Sequence, residues 1–106
     1  MQKQYEAKVF LSKDKRTFAP NRFQSKKDTL SLIDNLYDAG AKTIFITGIF
    51  DYKSDDEMCA DQMIVQLPQK KPDRAKVFAL CNQEIEKEGF DPEEDKGQSE
   101  IKLWWD

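Results

Sequence analysis

Eight consecutive residues near the middle of the chain are β-branched or aromatic, apart from one glycine. They read TIFITGIF over Thr43–Phe50, and polarity hardly alternates along them. Branched and aromatic side chains fit a pleated, buried surface, so this run favours a strand whose two faces are both largely covered. Any fold of this sequence must therefore accommodate a sheet strand here, with Gly48 as a candidate bulge.

A helix with clear signals at its ends is predicted on each side of this strand. Ser25, followed three positions later by an acidic residue, resembles a capping box, and Gly40 stands where a left-handed residue ends a helix. Pro72 suits the first turn of a second helix, which we expect to end at Glu88. Both segments carry an apolar stripe at helical spacing, which favours packing against a sheet.

Three further segments alternate between apolar and polar residues, which predicts half-buried strands. They are Tyr5–Ser12, Cys59–Leu67 and Ser99–Asp106. The stretch Lys13–Gln24 has no clean period and contains Pro and Asn, so it is predicted as a long loop.

The resulting order is strand, helix, strand, strand, helix, strand, with a hairpin in the middle. This order resembles the split βαβ arrangement of ferredoxin-like domains. It implies an α+β two-layer plait with a four-stranded antiparallel sheet and two helices on one face. A chain of 106 residues is near the usual size of one domain, so we predict a single ferredoxin-like domain over residues 1–106.

Composition limits the classes of function. The chain has no histidine and two isolated cysteines, so no metal-binding or redox motif is visible and we expect no cofactor, no metal and a non-enzymatic role. No apolar stretch reaches the roughly 20 residues that span a bilayer, and the first residues lack the apolar core of a signal peptide. The sequence therefore predicts a cytoplasmic protein without membrane contact.

Charge is distributed unevenly along the chain. The net charge of −3 and the pI near 5.0 argue against a general nucleic-acid binder, which needs a basic surface to displace phosphate counterions. Residues 1–27 hold eight basic and two acidic residues, net +6, and the remainder has a net charge of −9. One part of the molecule is therefore expected to attract anions.

The alternation also predicts an apolar outer face on the sheet. The residues expected there are Phe10, Phe45, Ile49, Ile64 and Trp104. A contiguous exposed patch of this kind usually marks an interface. The leading hypothesis is a non-catalytic interaction or regulatory module that forms a homo-oligomer, or binds a protein partner, through this face. The alternatives are that the face binds a small ligand, or that Phe18 and Phe23 of the loop fold over the face and cover it.

A second candidate site lies around the start of the first predicted helix. Its residues are Arg16, Arg22, Lys26 and Lys27. The free N–H groups at a helix N-terminus favour a small anion. Acylphosphatases, which share the ferredoxin-like fold, hold phosphate with an Arg in the corresponding loop, so a small phosphate-handling enzyme is the rival hypothesis. The strand Thr43–Phe50 lacks the Asn that orients water in that family.

Overall fold

The first segment predicted as a strand becomes a helix after two residues. In the computed structural model, which describes residues 3–105, strand β1 is Tyr5–Glu6 and helix α1 is Ala7–Leu11. The ends of the predicted domain, Met1, Gln2 and Asp106, lie outside the described residues. Glu6 caps α1, because its Oε1 accepts a hydrogen bond of 2.9 Å from the Val9 N–H.

Helical periodicity explains why the strand prediction is wrong for α1. Ala7, Phe10 and Leu11 are buried, and Val9 is 59% exposed. Spacings of three and four residues place side chains on one helix face. Ala7 and Leu11 fit both periods, so only the burial of Phe10 and the exposure of Val9 distinguish the helix from a strand.

The predicted loop Lys13–Gln24 contains a short strand, β2, at Arg16–Phe18. This strand pairs in parallel with residues Met58–Ala60 further along the chain. Three residues are too few to show a period in the sequence, so the pairing arises from tertiary contact. The loop prediction is therefore wrong at its centre.

The remaining elements lie close to their predicted positions. Their bounds are α2 Lys26–Ala39, β3 Ile44–Ser54, β4 Glu57–Gln66, α3 Lys71–Lys87 and β5 Glu100–Trp104. The predicted ends of α2 are confirmed, since the Ser25 Oγ accepts a hydrogen bond from the Asp28 N–H and Gly40 has a φ of 118°. The predicted hairpin of β3 and β4 is also confirmed.

Within residues 3–105, the sheet has five strands and the structure has three helices. The order β1-β3-β4-β2 runs across the sheet, and β5 also pairs with β4. The β2–β4 pair is parallel and the other pairs are antiparallel. The predicted four-stranded antiparallel ferredoxin-like plait is therefore wrong. Its first strand is replaced by α1, and β2 inserts a parallel strand that the plait lacks.

The hydrophobic core lies between the helices and one face of this sheet. Residues of α1, α2 and α3 meet inward side chains of β3, β4 and β5 in one cluster of buried residues. The largest fully buried side chains are Phe10, Ile33, Leu36, Ile44, Ile46, Met63 and Leu103.

Arg74 joins three parts of the chain at the start of α3. Its guanidinium donates to both carboxylate oxygens of Asp95, at 3.1 and 2.7 Å, and to the carbonyl oxygens of Pro68 and Gln98, at 3.1 and 2.9 Å. These contacts tie the exit of β4 to the loop that precedes β5. Arg74 thereby positions β5 beside β4.

We predict that Phe10→Ala lowers the free energy of unfolding by about 3–5 kcal/mol, because it removes a fully buried ring and leaves a cavity. The matched control is Val9→Ala in the same helix, which we expect to change stability by less than about 0.5 kcal/mol. Urea denaturation measures both. Equal effects of the two variants would contradict the placement of α1.

We predict that Asp95 stabilises the fold in a pH-dependent way. The Arg74 guanidinium, helped by the Gly97 N–H, lowers the pKa of Asp95 from 3.8 to about 2. A pKa that is lower in the folded state contributes stability above 3.8, and this contribution is lost as the pH falls through about 2. Asp95→Asn should therefore lower the urea midpoint at neutral pH, and its difference from wild type should shrink as the pH falls across this window.

Glu94→Gln is the control for this experiment, since Glu94 is the exposed neighbouring carboxylate. We expect it to follow the wild type at every pH. A difference between wild type and Asp95→Asn that does not change with pH would contradict the prediction.

Candidate functional site

The face of the sheet that points away from the helices is set by the strand register. Ile44 and Ile46 pair with Val65 and Met63, and all four are fully buried in the core. Successive side chains of a strand point to opposite faces. The outer face therefore consists of the alternate positions Phe45 and Thr47 of β3, Gln62, Ile64 and Gln66 of β4, and Glu100, Lys102 and Trp104 of β5.

Three of the predicted interface residues lie on this outer face. Phe45 and Ile64 are directly opposite each other on neighbouring strands and are half-buried, and Trp104 is 47% exposed. Phe10 does not lie there, because it belongs to α1 and is buried in the core. Ile49 is half-buried and packs against the core cluster. The apolar part of the outer face is thus smaller than the sequence predicts.

The loop aromatics pack on the helix side of the sheet. The ring centroids of Phe18 and Phe23 lie 5.3 and 5.5 Å from that of Trp105, which is buried in the core. The alternative that these two rings cover the outer face is therefore wrong. The chain borders this face elsewhere, since the Thr47 Oγ1 donates to the Lys3 carbonyl at 3.4 Å.

A cleft of about 290 Å³ opens between β5 and the end of α3, and we call it the β5–α3 cleft. Its described lining residues are Glu84, Ile85, Phe90, Asp91, Glu93, Lys102, Leu103, Trp104 and Trp105. The cleft combines aromatic walls with acidic side chains. Trp104 belongs to both the cleft and the outer face.

The aromatic wall depends on the way α3 ends. Gly89 has a φ of 86°, and the N–H of Phe90 donates to the Ile85 carbonyl at 3.1 Å. This cap places the Phe90 ring beside Trp104, with centroids 6.2 Å apart and planes tilted by 35°. Both rings are about half exposed. A ligand can therefore reach part of each ring.

The segment after Phe90 is held against α3 by a reciprocal pair of hydrogen bonds. The Glu93 N–H donates to the Asn82 Oδ1 at 2.8 Å, and the Asn82 Nδ2 donates to the Glu93 carbonyl at 3.1 Å. This pair uses only the backbone of Glu93, so its carboxylate remains available to the cleft. The wall is fixed by contacts within the chain.

The electrostatic character of the cleft is acidic. Of its described lining residues, Glu84, Asp91 and Glu93 are acidic and Lys102 is basic. Glu84 accepts a hydrogen bond of 3.1 Å from the Lys87 Nζ. Asp91 and Glu93 form no ion pair with any residue in the described part of the chain. The carbonyl end of α3 adds partial negative charge at the same place.

Sequence reasoning did not find this cleft. In the sequence, the acidic run from Glu84 to Asp95 is typical of a solvated helix end and loop, and Phe90 after Gly89 is typical of a hydrophobic cap residue. One signal in the sequence was an aromatic residue, Phe90, at an exposed helix end and directly before acidic residues. The other was the pair of adjacent tryptophans, Trp104 and Trp105. What brings these together is the pairing of β5 with β4, which a linear pattern does not reveal.

The predicted basic residues are largely engaged within the protein. The guanidinium of Arg16 is buried and donates to the Asp55 carbonyl, from Nε at 3.0 Å and Nη2 at 2.6 Å. Arg22 pairs with Glu88 at 3.0 Å, and the Lys26 Nζ donates to the Lys13 carbonyl at 2.7 Å. Lys27 is exposed. Arg16 thus acts as a structural cation between β2 and the β3–β4 turn.

Residues 3–105 provide little support for a metal site or for a reactive cysteine. In that range, no group of three or more His, Cys, Asp or Glu side chains is placed to hold a metal ion. Burial raises the pKa of the Cys81 thiol to about 12 and also raises the pKa of Cys59. Both thiols are therefore protonated at neutral pH, and a protonated thiol is a poor nucleophile.

Comparisons of the chain with protein-family models, with curated proteins and with solved structures find no match. Among the described residues, no helix has both the length and the apolar character needed to cross a membrane.

We predict that Arg16→Gln lowers the free energy of unfolding by about 1.5–3 kcal/mol, since it removes charge-assisted hydrogen bonds in a buried position. Lys27→Gln is the control from the same basic cluster, and we expect no measurable change because its side chain is exposed. Thermal unfolding followed by circular dichroism compares the two. Similar stability of both variants would show that Arg16 has no structural role.

Proposed function

We propose that this protein is a non-catalytic interaction module that self-associates through the outer face of its sheet. The observation that carries the proposal is the pair formed by Phe45 and Ile64, which lies on the side of the sheet opposite the helices, with Trp104 nearby. Apolar side chains on a face of this kind gain free energy when a second surface removes them from water.

The charges on the outer face are compatible with a second copy of the chain. Lys102 and Glu100 stand two positions apart on β5, so both point to this face. In a two-fold contact each copy presents the same surface. Lys102 of one copy can then approach Glu100 of the other. The other polar residues at these strand positions are uncharged amides and a hydroxyl, and the Asp61 carboxylate beside them accepts a hydrogen bond of 3.3 Å from the Trp104 Nε1–H.

The size of the face predicts a weak contact. Three strands spaced by ~4.8 Å and five residues rising ~3.3 Å each give a strip of ~14 by ~17 Å. Even doubled for the relief of its side chains, this area stays below the ~800 Å² per partner that stable complexes bury. We therefore expect a transient dimer that forms at high protein concentration.

The rival function, phosphate handling by the basic loop, has no observation in its favour. It depends on Arg16 and Arg22, and the guanidinium groups of both are engaged by other parts of the chain. An anion at Arg16 would have to displace these contacts, and an anion at Arg22 would compete with the Glu88 carboxylate.

We predict that Ile64→Lys weakens self-association by at least about tenfold, because it places a charge at the centre of the apolar contact. Val9→Lys is the matched control, since Val9 is an exposed aliphatic residue on α1, on the helix side of the sheet. Sedimentation velocity and concentration-dependent NMR shifts up to millimolar protein measure the equilibrium. A wild type that stays monomeric over this range, or two variants with the same effect, would refute the proposal.

A further inference from the structure

We propose that the β5–α3 cleft binds the side chain of an arginine in a partner polypeptide. The site lies beside the outer face and does not depend on self-association through it. The two surfaces share Lys102 and Trp104 among the residues named for them. The inference therefore goes beyond the proposed function, and the two can fail separately.

The shape of the cleft suits one flat cationic group. A volume of about 290 Å³ is near the lower limit of ligand sites and holds a single long side chain. Phe90 and Trp104 line it with rings whose centroids are 6.2 Å apart and whose exposed fractions are 52% and 47%. A guanidinium is planar and stacks on aromatic faces, where the ring quadrupole attracts the positive charge.

The charge of the cleft complements that group. Asp91 and Glu93 line it, and neither forms an ion pair among the described residues. A guanidinium presents N–H donors in a fork that matches a carboxylate, so one cation can stack on a ring and pair with an acid at once. Lys102 also lines the cleft and disfavours a second cation, which favours a single basic side chain.

Other ligand classes fit the cleft less well. An anion would face the carboxylates and the carbonyl end of α3. A purely apolar ligand would leave Asp91 and Glu93 partly desolvated without a partner, which costs free energy. An ammonium group lacks the flat surface that two tilted rings can contact, so lysine should bind more weakly than arginine.

The test uses acetyl-arginine amide as the probe and acetyl-citrulline amide as its neutral, nearly isosteric counterpart. Two-dimensional NMR of the labelled protein follows the indole N–H signals of Trp104 and Trp105 during titration. We expect acetyl-arginine amide to bind in the millimolar range and at least about tenfold more tightly than the citrulline compound, with an affinity that falls as salt is added. Equal binding of the two compounds, or no binding, would overturn the proposal.

Variants then locate the binding site on the protein. Phe90→Ala and the double variant Asp91→Asn with Glu93→Gln should each weaken arginine binding by about fivefold or more. The first removes a ring, and the second removes two carboxylates of the lining residues. Glu94→Gln is the control from the same loop, since Glu94 does not line the cleft. An equal loss in Glu94→Gln would show a general charge effect and refute the site.

A final comparison separates this inference from the proposed function. Ile64→Lys should weaken self-association and leave arginine binding unchanged, because Ile64 does not line the cleft. Phe90→Ala should weaken arginine binding and leave self-association unchanged. Loss of arginine binding in Ile64→Lys alone would place the binding site on the outer face and overturn the assignment to the cleft.

Discussion

Strand β4 is hydrogen-bonded along both of its edges, and the rest of the structure depends on this arrangement. One edge pairs with β3, and the other pairs first with β2 and then with β5 along its length. Buried backbone N–H and C=O groups need partners, so two short strands together complete an edge that neither covers alone. Strand β2, near the beginning of the sequence, and strand β5, near its end, therefore pair with the same strand.

Buried arginines hold the segments that make this meeting possible. Arg16 joins β2 to the turn between β3 and β4, and Arg74 joins the exit of β4 to the loop before β5. A buried guanidinium must be paired with acceptors, which makes each of these contacts specific in direction. The guanidinium groups of Arg16 and Arg74 therefore stabilise the fold and are not free to bind a ligand. The acidic loop at the end of α3, in contrast, has carboxylates at the surface.

The two sides of the sheet consequently differ in their ability to bind a partner. Helices cover one side and enclose the core, whereas the other side presents Phe45, Ile64 and Trp104 among amides and charged residues. Trp104 lies where this face reaches the β5–α3 cleft. The outer face offers apolar area and little charge, and the cleft offers aromatic rings and negative charge. The two surfaces therefore suit different ligands.

Elements with local signals could be predicted from the sequence alone. Ser25 and Gly40 predicted the ends of α2, and the branched run at Thr43–Phe50 predicted β3 and its hairpin with β4. Long-range packing fixed the state of Tyr5–Ser12, where strand and helix periods coincide at two positions. It also fixed the pairing of β2, which is too short to have a period. It also decided the site, because the approach of Phe90 to Trp104 joins residues far apart in the chain. Periodicity reports which face of an element is buried, and it contains no information about which distant element covers that face.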